Sequence, residues 1–188
     1  YLVESLFMSV QLNQMLLPSE WIKESDSVFY SSERIFILSE DMIEFLLSAA
    51  KNNKSRQPRL CAHHNYKDLL HEIIIIHLKG NYVPPHKHVN KIESFHIIKG
   101  MLAVVIFSDD GNIMRIVILG GKSKNLYYRL SDNFYHTVVP LSEYVVFHEV
   151  TNGPFNKGDM ILPKWASLSD NEILEFQNNV SNKVLKLL

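Results

Sequence analysis

A single cysteine, Cys61, in 188 residues excludes an internal disulfide framework and suits a reducing compartment. Cys61 with His63 resembles half of a zinc motif, but the chain offers no second half, so a buried thiol is the expected role. Charge of one sign is also missing. Nineteen Lys and Arg stand against twenty Asp and Glu, and the net charge is −1. No basic cluster is long enough for a nucleic-acid footprint, and there is no acidic tail. No apolar run approaches the roughly 18–20 residues that cross a bilayer. The opening "YLVESLFMSVQLNQMLLPSEW" carries Glu4 and no basic leader, a poor signal peptide. These absences lead to the expectation of a soluble, cytoplasmic protein that binds neither nucleic acid nor membrane. Internal repeats and low-complexity segments are absent. "GGKS" at 120–123 lacks the glycine that a phosphate-binding loop needs five positions before Gly121, where Ile116 stands. The sequons at Asn53 and Asn179 are patterns that chance supplies.

What is present is apolar content, 46% hydrophobic residues, enough for one domain with a core. "SSERIFILSEDMIEFLLSAAKNN" places Ser39 and the acidic Glu40, Asp41 and Glu44 ahead of Ile43, Phe45, Leu46 and Leu47. A serine cap followed by acidic residues and an apolar face predicts a helix, ending near "KNNKS". "RQPRL" then reads as a linker, since Pro58 disfavours helix. From residue 71 the texture becomes β-branched. "HEIIIIHLKG", "SFHIIKGMLAVVIF" folded at Lys99–Gly100, "IMRIVIL", "NLYYRL", "HTVVP" and "YVVFHEV" are short runs bounded by turn residues, and "SDDGN" is a hairpin signal. Many short strands at this spacing predict a closed or double-layered antiparallel architecture. "SLSDNEILEFQNNVSNKVLKLL" predicts a C-terminal helix capped by Ser169 or Asp170. The expected organisation is an N-terminal extension over 1–32, a helical lead-in and linker over 33–70, a β-barrel over 71–166 and a C-terminal helix over 167–188.

The densest chemistry lies in "GNYVPPHKHVNKIESFHIIKG", residues 80–100. In a strand His86 and His88 share a face, and Pro84 and Pro85 restrict the backbone ahead of them. Glu93 can return to the same place if the chain turns between. Neutral imidazoles and a carboxylate suit a borderline divalent cation such as Fe(II), Mn(II), Ni(II), Cu(II) or Zn(II). His136, opening a strand after "SDNFY", is the candidate for a third imidazole. His96, three after Glu93, falls on the opposite face. His71, His77 and His148 lie within strands, where structural roles are expected. Phe95 shares strand parity with Glu93 and so is a candidate to line a pocket beside it.

Gly80, five residues, His86-x-His88, four residues, Glu93, six residues and Gly100 match the first signature of the cupin superfamily. Of the second signature only the histidine is present, as His136. Ser131, Asn133 and Pro140 replace its proline, glycine and asparagine. The order "VPPHKH", "ESFHIIKGMLAVVIFSDDG", "FYHTVVPL" and "HEVTNGPF" resembles the WbuC-type cupin-fold metalloproteins of bacteria, over roughly residues 33–166. The resemblance implies a single-domain all-β cupin jelly-roll barrel with flanking helices. It also implies one divalent transition metal (Fe, Mn, Ni or Zn) held by His86, His88, Glu93 and His136. A basic segment and a histidine before the first barrel strand belong to the same likeness, and here they are Arg59 and His63, candidates for the barrel mouth. An association with surface polysaccharide (O-antigen) synthesis is implied as well.

The resulting expectation is a metal-dependent enzyme on a small oxygenated molecule, such as a sugar or nucleotide-sugar, with catalytic residues unassigned. Two alternatives stay open: a non-catalytic metal- or ligand-binding sensor module, and a metal-free sugar epimerase on the same fold with a His–Asp base and a Tyr acid. Exposed strand edges predict a homodimer, with the N-terminal extension as one means of covering an edge.

Overall fold

The computed structural model describes residues 18–52, 56–166 and 170–187. The proposed cap Ser169 and the end of the first helix at 53–55 therefore lie outside the described residues. Two strands that the sequence reading did not anticipate lead in, β1 (Trp21–Lys23) and β2 (Val28–Ser31). Helix α1 (Glu40–Asn52) follows, with the Met42 amide donating to the Ser39 hydroxyl at 3.3 Å and Glu40 and Asp41 in its first turn, as a capped start requires. The expected linker "RQPRL" instead ends in strand β3 (Arg59–Cys61), antiparallel to β4 (Leu70–Leu78). Pro58 is tolerated beside this ladder because only its carbonyl is needed there, accepting from the Ile76 amide at 3.1 Å.

The chain continues through β5 (Lys87–His88), β6 (Glu93–Lys99), β7 (Met101–Phe107), β8 (Ile113–Gly120), β9 (Tyr127–Leu130), β10 (Tyr135–Pro140) and β11 (Tyr144–Asn152). The short β12 (Met160–Ile161) and helix α2 (Asp170–Leu185) complete it. One sheet runs β1-β2-β3-β4-β11-β6-β9, another β10-β7-β8, and β12 pairs with β5. A single bridge, His86 to His136, joins β5 to β10. The eight strands from β4 to β11 thus divide between two facing sheets, β4-β11-β6-β9 and β5-β10-β7-β8. This is the interlocked pair of Greek keys that makes a jelly roll.

The fold is the expected jelly roll in its double-layered form, since no ladder among the described residues joins the sheets into a ring. The turn at Gly100 shows why. It does not fold β6 and β7 into a hairpin but carries the chain from one sheet to the other. Gly100 has φ 81°, and a Cβ there would run into the Tyr144 carbonyl and the Ser142 hydroxyl, so only glycine passes this corner without strain.

Burial follows strand parity. On β4, Ile73 and Ile75 face the space between the sheets, while Ile74, Ile76 and Leu78 lie under α1 with Leu46 and Ala50. Both faces are covered, which is why the strand reads as an unbroken apolar run. On β7, Leu102, Val104 and Ile106 face inward, and Ala103, Val105 and Phe107 meet Val180 and Val184 of α2. The order from outside to outside is helix, sheet, sheet, helix. Strands β1 and β2 extend the β3 edge of the larger sheet from within the same chain.

Candidate metal centre

His86 and His88 sit two apart at the start of the smaller sheet's edge. The His86–His136 bridge, with amide-to-carbonyl distances of 3.0 and 2.8 Å, brings the third histidine beside them. One ring nitrogen from each of His86, His88 and His136 falls within 4.8 Å of the other two. Glu93 opens β6 on the facing sheet and reaches across. Its Oε1 is 2.9 Å from His136 Nε2 and its Oε2 is 3.6 Å from His88 Nε2. Glu93 is 4% exposed and His136 1%.

The local bonding favours a cation. His86 Nδ1 donates to the Pro84 carbonyl at 2.8 Å, and His136 Nδ1 to the Phe134 carbonyl at 3.1 Å. With the proton held at Nδ1, each Nε2 presents a lone pair toward the shared centre. Glu93 Oε1 is buried and, despite its nearness to His136, makes no hydrogen bond of acceptable geometry. Three imidazole nitrogens and an unsatisfied carboxylate oxygen form a borderline donor set that fits a divalent transition metal.

The electrostatics agree. Burial pushes His86 down to about 4, helped by the charge of His136, and burial also lowers His88, so both are neutral and ready to ligate near pH 7. For Glu93, burial works against the charge, but His136, His88 and His86 outweigh it and the carboxyl lies below its usual range. His136 is the counterpart: burial lowers it, Glu93 raises it further, and the net shift is upward.

These side chains open onto a cavity of about 610 Å³ between the sheets. Phe95 and Arg59 line it, whereas His63 does not. His63 lines a neighbouring cavity of about 840 Å³ with Tyr30 and Cys61, and Arg59 stands in the wall of both. His63 stacks on His71, with ring centroids 4.1 Å apart and planes 6° from parallel. The Cys61 thiol is pushed up to about 12 by burial, which makes it inert. His96 is exposed on the outer face, as parity requires.

Sequence reasoning missed three groups that face the first cavity: His71, His77 and Glu149. Burial pushes Glu149 up to about 7, the charge of Glu93 adds to this, and Arg59 and His136 oppose it. Period-two alternation puts His71, Ile73, Ile75 and His77 on one face of β4, but both faces of that strand are buried. The sequence therefore carried no sign of which face held the cavity.

Residues 38–119, less than half of the chain, match a family described as a domain of unknown function, DUF6016. No curated protein matches the sequence. Among solved structures, protein SO0799 from Shewanella oneidensis is similar at TM-score 0.53 and 12% identity, over 81% of this chain and 98% of that one. This identity shows shared fold alone. Partial likenesses at TM-score 0.43 include the capsular polysaccharide assembling protein CapF of Staphylococcus aureus, at 16% identity over 56% of this chain and 34% of that one. The cupin domain of Schizosaccharomyces pombe Cnp3 is similar at the same score, with 11% identity over 53% of this chain and 66% of that one. Both are too distant to bear on function. The likeness to SO0799 shows a shared fold, and in this chain the histidine spacing of residues 80–100 is set at the mouth of a jelly roll.

Proposed function

We propose that this chain is a WbuC-type, metal-dependent cupin enzyme acting on a small oxygenated molecule, a sugar or nucleotide-sugar, in the cytoplasmic steps of surface polysaccharide synthesis. The observation that carries the metal is the convergence of His86, His88 and His136 with Glu93, two of the imidazoles being fixed by backbone carbonyls behind them. The polysaccharide context comes from family resemblance and not from geometry.

His86, His88, Glu93 and His136 would hold the ion. A divalent metal with four protein ligands keeps positions open for the oxygens of a substrate and supplies Lewis acidity there. The chain's own residues do the rest. Phe95 and Phe147 give the cavity apolar walls that exclude water and strengthen charge interactions inside. Arg59 and Glu149 supply polar groups on the same sheet as these two rings, against which a bound molecule can be oriented.

Elemental analysis of protein purified without added metal, followed by turnover assays across nucleotide-sugars, tests the reading. About one metal per chain is expected, lost on chelation or in His88→Ala together with turnover. Turnover that survives either treatment would count against the proposal. Stoichiometric metal with no substrate consumed would favour a binding module, and metal-free turnover an epimerase.

A further inference from the structure

The wall of the larger sheet carries charged groups that the metal cluster does not use. In the register of that sheet, Glu93 lies opposite Thr151, and Glu149 lies opposite Phe95 on one side and Ile73 on the other. Glu149 is therefore the diagonal neighbour of Glu93, at a Cα separation of about 7–8 Å in such a ladder. Arg59 lies opposite Ile75, which lies opposite Phe147, one row beyond Glu149 on the side away from Glu93. Along this wall the order is Glu93, Glu149, Arg59, with the three histidines meeting Glu93 from the smaller sheet.

The Arg59 guanidinium is not satisfied by the described residues. No hydrogen bond or ion pair links the Arg59 guanidinium to any described residue, and its Nε is buried without a partner. Glu149 and Arg59 face the same cavity and influence one another electrostatically, yet they do not close into a salt bridge. Opposite charges held apart in a water-poor space are costly, unless something that enters the space completes them. A guanidinium is a fork that matches a carboxylate, with two parallel donors. A carboxyl group in the middle of the wall suits hydroxyl groups, accepting from them when ionised and donating when protonated. A metal at the far end would take a further pair of ligand oxygens.

We infer that the cavity binds a polyhydroxylated monocarboxylate of sugar size, its carboxylate on Arg59, its hydroxyls against Glu149 and its far oxygens at the histidine cluster. This inference deepens the proposed function and rests on it for the metal end alone. A carboxylate is favoured over a phosphate because one guanidinium is present, while Glu93 and Glu149 would repel a second negative charge.

The test uses the full chain loaded with Zn(II), its metal content measured on the same sample, with binding followed by calorimetry. The probes are galacturonate, galactose, galactose 1-phosphate and cyclohexanecarboxylate. Galacturonate is expected to bind more tightly than the other three. Arg59→Gln is expected to weaken it by about tenfold to a hundredfold, as loss of a charge-assisted pair does, and to affect galactose far less. Equal binding of galactose, tighter binding of galactose 1-phosphate, no binding of galacturonate, or a folded Arg59→Gln that binds it as wild type each overturn the inference. If Arg59→Gln fails to fold, Glu149→Leu decides. The preference for galacturonate over cyclohexanecarboxylate should fall by about tenfold, the cost of an interaction near one hydrogen bond, and an unchanged preference overturns the inference. Metal-loaded protein that ignores galacturonate sinks this inference alone. Failure to load metal sinks the metal reading, and the dependence of galacturonate binding on Arg59 is then measured on the metal-free chain.

Discussion

His77 shows what a titratable residue costs when the fold gives it no partner. It is buried beside Phe147 on the inward face of β4, its Nδ1 has no hydrogen-bond partner, and burial with the nearby Arg59 charge pushes its pKa down to about 3. An unfolded histidine titrates near 6.5. Between these two values the unfolded chain binds a proton that the native chain refuses, so stability rises with pH across that window and falls on acidification. The contribution approaches about 1.4 kcal/mol per pH unit. Urea denaturation of the metal-free protein at pH 6.5 and 5 should show wild type losing about 1–2 kcal/mol more than His77→Leu. Equal losses would mean that His77 takes up its proton in the folded state. The same lack of partners at Arg59 Nε and His71 Nε2 marks the inward face of this sheet as one whose polar groups are not there for stability.

At the scale of elements, legibility followed the strength of local signals. The helix 40–52, the β6–β7 corner, the β7–β8 hairpin and the last two strands of the jelly roll were readable because each has its own turn chemistry or cap. Strands β1 to β3 were not. They have three, four and three residues and exist because β4 offers an edge to pair with, a tertiary cause that composition does not record. In the site, His86 and His88 were readable from their spacing of two, and Glu93 and His136 from the family motif. Glu149 and His77 became site-facing only once the pairing of β4 with β11 fixed which face met the cavity. The corner at Gly100 is the element on which this depends, since it sends β7 to the opposite sheet. Gly100→Ala would force a side chain into a left-handed conformation and against the Tyr144 carbonyl. A loss of at least about 2 kcal/mol is expected, read as a lower urea midpoint at unchanged slope. A variant as stable as wild type would show that the corner can be reached by another backbone path.

The described residues form two facing sheets held by an apolar interior and each backed by a helix, with no ladder among them closing the sheets into a ring. At the mouth this leaves the sheets tied by side chains. His86, His88 and His136 belong to the smaller sheet side and Glu93 to the larger, so an ion held by all four would be a cross-link between the layers as well as a reaction centre. Anything that binds the native state and not the unfolded one stabilises it by mass action. Saturation at a thousandfold over the dissociation constant is worth about 4 kcal/mol. For a chain of this size that corresponds to a rise in melting temperature on the order of 10 °C. Thermal melts of chelated and Zn(II)-loaded protein should differ by that amount and shift further with metal concentration. Glu93→Ala removes the larger sheet's share of the cross-link and should shrink the shift even where the three histidines still retain metal. His96→Ala, on the outer face, should leave it intact. If Glu93→Ala keeps the full shift, the ion belongs to the smaller sheet alone, and Glu93 is then an acid held beside the cluster and not a ligand within it.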